Sequence, residues 1–411
     1  MDLKHLMPVK KLLVCVIASN LFIALQAQQK QIRKTPLMGW SSWNSFRINI
    51  TEKDIREEAD LLVSTGLKSL GYTYAIIDDG YFGGRNAKEN IIPHPKRFPG
   101  GMKILADYIH SKGLKAGIYS DAGINTCGSY WDKDTIATGC GLYGHEYQDL
   151  FQLLNTWGYD YIKVDWCGGD WMKLNQETRY TLIGNIIREI KPETYYSICS
   201  WGFPGEWVTN VGNMWRISSD IRSDFRSIMR IVDLNADLWK YATPGHVNDM
   251  DMLQVGNGMS YEEDKAHFTM WAVMSSPLLL GNDLRRMSKE TMQIISNKEI
   301  IALNQDPLVY QARRFSKKDS LEVWAKPLGS TTSGKVAVTL LNRNDREKEI
   351  SFDLDSIGIN SAESYTLRDL WMKKDYPRST EKKRSFKVPA HGVVVLKAAG
   401  ISHPFNKYQY E

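Results

Sequence analysis

The sequence predicts an α/β chain, a (β/α)8 TIM barrel followed by a C-terminal antiparallel β-sandwich. Eight short apolar runs between Leu37 and Leu284 alternate with helical or connecting stretches, over the length such barrels occupy. After Asn304-Gln305-Asp306-Pro307 the helical period stops, and short alternating runs separated by turn residues fill the rest. No strand is followed by a Gly-rich phosphate-binding turn, which counts against a doubly wound open sheet, the next candidate. The expected division is residues 1–27 as a targeting segment, 28–306 as the barrel and 307–411 as the sandwich.

The first segment reads as a secretory signal peptide. Lys10 and Lys11 precede an apolar run from Leu12 to Leu25, too short to span a bilayer, and Ala27 offers a small residue for cleavage. Cys15 follows Val14 and sits early in that run, which argues against a lipid anchor. The expectation is an exported protein, periplasmic or secreted, with no membrane span. Net charge is +5, of which Lys4, Lys10 and Lys11 against Asp2 contribute +2, and the remaining +3 is too small for a nucleic-acid partner. The 13 Trp and 20 Tyr point elsewhere, because aromatic faces pack on the C–H faces of sugars. Export leaves Cys127, Cys140, Cys167 and Cys199 where disulfides form, and four cysteines allow three complete pairings. No C-x-x-C pair or His-rich partner makes them a metal site.

The strand candidates run in order: LMGWSSWNSF (37–46), YTYAIIDDGYF (72–82), LKAGIYSDAG (114–123), YDYIKVDWCGG (159–169), YYSICSWG (195–202), MWRISSD (214–220), HVNDMDML (246–253) and SPLLLGNDL (276–284). The fourth is the plainest buried parallel strand, an apolar and β-branched run that breaks into charge, Trp, Cys and two glycines. Between them, Thr51 is placed to cap a helix, with Asp54 at the third position and Ile55, Ala59, Leu62 and Val63 at helical spacing. Met102–Ser111, His145–Trp157, Asn175–Ile190, Ser223–Asn235 and Glu262–Ser275 continue the helical pattern. The sandwich strands are LEVWAKPL, KVAVTLLNR, KEISFDL, SYTLRDLW, SFKVPA and GVVVLKAAG.

In such a barrel, polar residues at the carboxyl ends of strands read as the active site. Here the ends carry Trp40 and Trp43, Asp78 and Asp79, Tyr119 and Asp121, Lys163 and Asp165, Ser200 and Trp201, Arg216 and Asp220, and Asp249 and Asp251. Singly, each has a plain alternative: Asp121 and Asp249 suit a helix cap or turn, Trp40 and Trp43 suit the barrel floor. Together they suit a sugar pocket with two catalytic acids, since no His cluster and no Ser-His pair accompanies them. Lys163 and Asp165, two apart on one strand face, favour an ionised Asp165 and so a nucleophile. Asp220, after an apolar strand and two serines, is the candidate for the protonated partner. An oxygen-rich Mg²⁺ or Ca²⁺ site is the competing use, and Lys163 and Arg216 within the cluster disfavour it. No metal or cofactor is expected.

MGWSSWNSF, YAIIDDGYF, GIYSDAG, YIKVDWC, WRISSDI and NDMDML stand in the order and spacing of glycoside hydrolase family 27. The chain resembles that family, which holds α-galactosidases (melibiases) and α-N-acetylgalactosaminidases, over Thr35 to Pro307, and in kind over the sandwich. The resemblance implies a retaining exo-hydrolase acting on terminal α-galactosides, with Asp165 as nucleophile and Asp220 as acid/base, their carboxyls about 5–5.5 Å apart. It implies that Asp78 and Asp79 bind O4 and O6 of galactose, Lys163 O3 and O4, and Arg216 lies near O2. Trp43 and Tyr119 would wall the pocket, and Asp251 would sit near the acid/base.

The resemblance also implies a Cys127–Cys167 disulfide, although Gly128–Gly141 is longer than the family pattern and carries Cys140, a rival partner. Cys199 lacks its family partner, since Gly212, Asn213 and Met214 stand there, and is expected as a buried free thiol. After the fifth strand α-galactosidases of the family carry Cys-Glu-Trp, whereas this chain reads Cys199-Ser200-Trp201-Gly202-Phe203-Pro204. Ser200 resembles the α-N-acetylgalactosaminidase pattern and Phe203 opposes it, and Glu206 or Trp207 is an alternative group for the sugar. A β-L-arabinopyranosidase is the other reading within the family, and an inactive sugar-binding protein the one outside it.

Overall fold

The computed structural model describes residues 33–403, so the expected signal peptide lies outside the described residues. All eight strand candidates form strands: β1 Met38–Ser41, β2 Tyr74–Ile76, β3 Lys115–Asp121, β4 Tyr161–Asp165, β5 Tyr195–Ile198, β6 Met214–Arg216, β7 Val247–Asp249 and β8 Leu278–Leu280. They form one parallel sheet in the order β8-β1-β2-β3-β4-β5-β6-β7. Leu253 N donates to Leu279 O at 2.7 Å and Gly281 N to Leu253 O at 3.1 Å. This parallel bridge between Leu253 and Leu280 joins the end of β7 to β8 and closes the ring, which an open sheet does not do.

Side chains cap most of the longer helices. Helix α1 (Glu52–Ser64) starts with the reciprocal Thr51–Asp54 capping box, and α2 (Met102–Ser111) follows Gly101. The His145–Trp157 pattern splits into α3 (Glu146–Leu150) and a π-helical stretch, Phe151–Thr156, where Gln152 pairs with both backbone groups of Ile91. Helices α4 (Gln176–Ile190), α5 (Phe225–Asn235) and α6 (Tyr261–Val273) are capped by Asn175, Asp224 and Ser260. A 3-10 turn at Glu206–Asn210 stands where a helix would join β5 to β6, and two short helices, α7 (Lys289–Ile295) and α8 (Lys298–Asn304), end the barrel.

Beyond them come β9 Arg313–Lys318, β10 Leu321–Pro327, β11 Lys335–Asn342, β12 Lys348–Asp353, β13 Thr366–Asp369, β14 Lys374–Asp375, β15 Lys383–Val388 and β16 Val393–Ala399. Six make a sheet in the order β9-β10-β11-β16-β13-β14, and β12 pairs with β15 across from it. Alternation sorts the larger sheet's side chains between two cores. Val323, Ala325, Val338, Leu340 and Leu396 face the small sheet, while Trp324, Ala337, Leu341, Val393 and Val395 join the barrel's core beside α6. The sandwich thus has both faces of its main sheet covered, one by the barrel.

Candidate active site

Six strand-end motifs converge on one cavity of about 330 Å³ at the carboxyl mouth of the barrel, lined in part by Trp43, Asp78, Lys163, Asp165, Trp201, Arg216, Asp220 and Asp251. Larger depressions exist elsewhere, but the one along Ile91–Pro93 carries no carboxylate, so volume does not identify the chemistry.

The mouth is assembled from two ion-pair chains. Lys163 Nζ lies 3.0 Å from Asp78 Oδ2 and 3.5 Å from Asp165 Oδ1. Arg216 Nη2 lies 2.7 Å from Asp251 Oδ2 and 2.9 Å from Asp220 Oδ1. Asp165 is deep, its side chain 7% exposed, whereas that of Asp220 is 62% exposed. Asp165 Oδ1 has no hydrogen-bond partner, and the disulfide sulfur of Cys127, which bears no proton, lies 3.3 Å from Oδ2. A buried carboxylate oxygen without a donor costs energy wherever it serves only structure.

Charge follows burial here, not the sequence expectation. Burial pushes the Asp165 carboxyl up to about 7, outweighing Lys163, with Asp78 adding to the rise. Burial also works to raise Asp220, but Arg216 and then Lys163 hold it below its ordinary value, with help from the Trp201 indole. Burial thus favours a proton on Asp165, while Arg216 and Lys163 favour charge on Asp220, the reverse of the order expected from Lys163 alone.

Not every predicted residue reaches the cavity. Asp79 neighbours Asp78, and adjacent residues of an extended strand end point to opposite sides. Its carboxylate accepts from Gly128 N at 2.6 Å and Gly80 N at 2.7 Å, so it ties loops instead of lining the cavity. Gly80 (φ +115°) is needed there, because a Cβ would stand 2.8 Å from the Ile48 backbone. Tyr119 is buried behind Lys163, with Cys127 N donating to its hydroxyl, and Trp40 belongs to the core. Asp121 and Asp249 take the turn role, accepting from Gly123 N and Cys167 N, and from Asp251 N. Ser200 lies outside the lining, and Phe203 stacks on Tyr241 at 4.6 Å, so neither cue about the sugar's 2-position acts at the wall. Glu206 is bound by Tyr241 and Lys240, and Trp207 donates to Pro204 O. The loop after β5 gives the cavity Trp201 alone, in the left-handed region at φ +57°; Asp251 (φ +79°) and Arg47 (φ +47°) share that strain.

Cys127 and Cys167 form the disulfide, with Cα atoms 5.3 Å apart, and both line the cavity. Closing a 40-residue separation stabilises the fold by about 4 kcal/mol on loop entropy. Cys140 and Cys199 are free and buried, and Arg216 Nη1 lies 3.7 Å from the Cys199 sulfur. Asp121, Cys127 and Cys167 lie within metal-binding reach of one another, but both sulfurs are consumed by the bridge.

Sequence reading missed Asn44, Arg47, Trp131, Asp132 and Met252 in the lining. Asn44 and Met252 stood inside quoted motifs. Arg47, Trp131 and Asp132 come from short helical turns and their ends that only the fold brings together, with Arg47 Nε donating to Asp132 Oδ1 at 2.8 Å and its guanidinium 4.8 Å from the Trp43 ring.

A family model described as alpha galactosidase A matches residues 35–306, and one described as alpha galactosidase C-terminal beta sandwich domain matches 318–398. The chain is 43% identical to an alpha-galactosidase A of Cellvibrio japonicus, over 93% of this chain and 96% of that protein. It is 42% identical to alpha-galactosidase 3 of Arabidopsis thaliana, over 90% and 84%. Among solved structures, alpha-galactosidase I from Mortierella vinacea matches with a TM-score of 0.81 at 33% identity, over 91% of this chain and 100% of that one.

Proposed function

The chain belongs to glycoside hydrolase family 27 and is an α-galactosidase-type hydrolase, and from that premise we propose that it releases terminal α-linked galactose by two displacements through Asp165 and Asp220. The observation that carries this reading is the single cavity holding a deep Asp165, whose Oδ1 lacks a hydrogen-bond partner, and a solvent-facing Asp220. In the first step a carboxylate oxygen of Asp165 bonds to C1 of galactose while the Asp220 proton passes to the departing oxygen. In the second, Asp220 takes a proton from water, the hydroxide oxygen bonds to C1, and Asp165 leaves with its electron pair.

The free-protein charge order must invert for this, and binding supplies the cause. A sugar seated over Asp220 removes water from its exposed carboxyl, which raises its pKa and draws the shared proton from Asp165. Lys163 with Asp78, and Arg216 with Asp251, present donors and acceptors for ring hydroxyls. A site built so rejects epimers, because its buried polar groups would go unpaired.

The test is a side-by-side assay of p-nitrophenyl α-galactoside, α-N-acetylgalactosaminide and β-L-arabinopyranoside, with the anomer of the first product followed by NMR. Fastest turnover of the first with α-galactose released initially is expected. Preference for another substrate, or initial release of the β-anomer, would sink the reading. Export is part of the proposal: an oxidising compartment suits the Cys127–Cys167 bridge. Among the described residues no helix is long and apolar enough to cross a membrane. The mass of the protein recovered from its native host, expected to lack residues 1–27, checks it.

A further inference from the structure

The depression along Ile91–Pro93 holds about 630 Å³ and shares no residue with the catalytic cavity. Its lining carries no charged side chain, in a protein whose residues are 24% charged. Aromatic rings and carboxamides take their place: Tyr147, Phe151 and Trp157, with Asn86, Asn90 and Gln148 among them. An uncharged lining offers nothing to an anion, a cation or a nucleic acid. Flat apolar rings edged by neutral donors and acceptors match a pyranose, which has an apolar C–H face and a rim of hydroxyls.

Rings and amides are both left ready for it. Tyr147 and Phe151 lie four apart where α3 runs into the π-helical stretch, near-parallel at 13° with centroids 6.4 Å apart. They are 50% and 41% exposed, and water is a poor partner for two such rings together. Gln148 Nε2 donates to Lys88 O and Asn90 Oδ1, while Asn86 Oδ1 accepts from Lys88 N and Asn90 N. Those bonds leave Asn86 Nδ2, Asn90 Nδ2 and Gln148 Oε1 without a partner among the described residues, donors and an acceptor for ring hydroxyls.

The two walls are clamped together. One is the hairpin of Phe82–Arg85 and Ile91–Pro93, the other the helical stretch that carries Tyr147 and Phe151. Arg85 grips Asp149 through hydrogen bonds of 2.9 and 2.6 Å, and Gln152 pairs with both backbone groups of Ile91. A pocket formed in advance loses little freedom on binding, which a weak sugar contact needs. Its exposed rings suit an internal unit of a chain, whose neighbours run on into solvent.

We propose that this pocket is a second sugar-binding site, taking a neutral pyranose unit of a polysaccharide and performing no chemistry on it. Binding there is separate from hydrolysis, so it goes beyond the galactosidase reading and does not depend on it.

The test is affinity electrophoresis in native gels containing glucomannan or barley β-glucan, neutral polymers with no galactose for the catalytic cavity to hold. Polygalacturonate serves as the anionic control. Wild type is expected to be retarded in at least one neutral gel and not in the control. Tyr147→Ala with Phe151→Ala should weaken that binding about tenfold or more, while hydrolysis of p-nitrophenyl α-galactoside stays unchanged. No retardation in either neutral gel, equal retardation of the double variant, or retardation as strong in polygalacturonate overturns the site. So does sedimentation of wild type as a dimer that the double variant breaks, which would put a second copy of the chain over the rings. A protein retarded in the gel yet inert on every galactoside would refute the galactosidase reading alone.

Discussion

The barrel mouth and the seam between barrel and sandwich both bury charge, yet they finish it differently. At the seam Glu322, with no exposed surface, is met by Arg343 at 2.9 Å, Arg314 at 3.4 Å, Lys317 at 3.5 Å and the Trp324 indole at 2.8 Å. Asp233 of α5 draws on the same arginines, tying the barrel to the sheet. Lys326 Nζ donates to Ser275 Oγ at 2.7 Å and Leu303 O at 2.6 Å. Each region leaves one guanidinium Nε unpaired, Arg343 at the seam and Arg216 at the mouth, but at the mouth a carboxylate oxygen, Asp165 Oδ1, also stays without a hydrogen-bond partner beside an open cavity. Buried charge alone does not mark a site. An unsatisfied carboxylate facing a cavity among further carboxylates and cations does, because a ligand is what compensates it.

The largest effect that sharpens this contrast is at Asp165. Asp165→Asn should cut turnover by roughly 10⁴-fold or more, with thermal stability unchanged or raised, because a neutral amide relieves a buried carboxylate. Substantial residual activity would remove Asp165 from the nucleophile role. Asp220→Asn should cost about 10²–10⁴-fold on raffinose and much less on α-galactosyl fluoride, which needs no proton. Equal loss on both would argue that Asp220 only shapes the pocket.

A smaller, diagnostic effect lies in the pH profile of kcat/KM, which reports the free protein. The pair works while it holds one proton. The alkaline limb is therefore expected near pH 7, where Asp165 gives that proton up, and the acid limb below the ordinary carboxylate range, where Asp220 takes a second. In Asp220→Asn the residual activity needs only an ionised Asp165, so it should rise with pH through about 7 to a plateau above it in place of falling there. A variant that kept the bell shape would assign the limbs to other groups, with Asp79 and Asp121, also pushed up to about 7 by burial, first in line.

What the sequence disclosed divides along the same line. A parallel barrel strand is apolar until it emerges, so the eight strand ends, and the polar residues on them, were readable from runs such as YIKVDWC. Which member of a pair faces the mouth was not, because Asp78 and Asp79 look alike until the Gly80 turn commits one carboxylate to Gly128 N. Arg47 and Trp131 sit in helical turns of 3 and 5 residues, and Asp132 just after the second, too short for a period to announce a face, so contact is made only by closure of the ring. The protonation order escaped for a further reason: pairing is visible from spacing, but the extent of burial that overrides it is a property of the whole fold.

The smallest effect tests the seam. Burial lowers the Lys326 ammonium from 10.5 to about 7, with Asp306 opposing. Between those values the folded protein binds fewer protons than the unfolded chain, so unfolding takes up a proton and stability rises with pH. The gain begins near pH 7 and is complete by about 10.5, on the order of a few kcal/mol. Lys326→Met removes the titration and leaves Leu303 O and Ser275 Oγ without their donor. Measured by urea unfolding at pH 7 and pH 9.5, the stability of wild type relative to this variant should move in favour of wild type at the higher pH. Activity on small substrates should change little, since no cavity residue is touched. A difference that stayed flat would mean that the seam holds Lys326 charged throughout, and that it satisfies its ammonium as fully as water does.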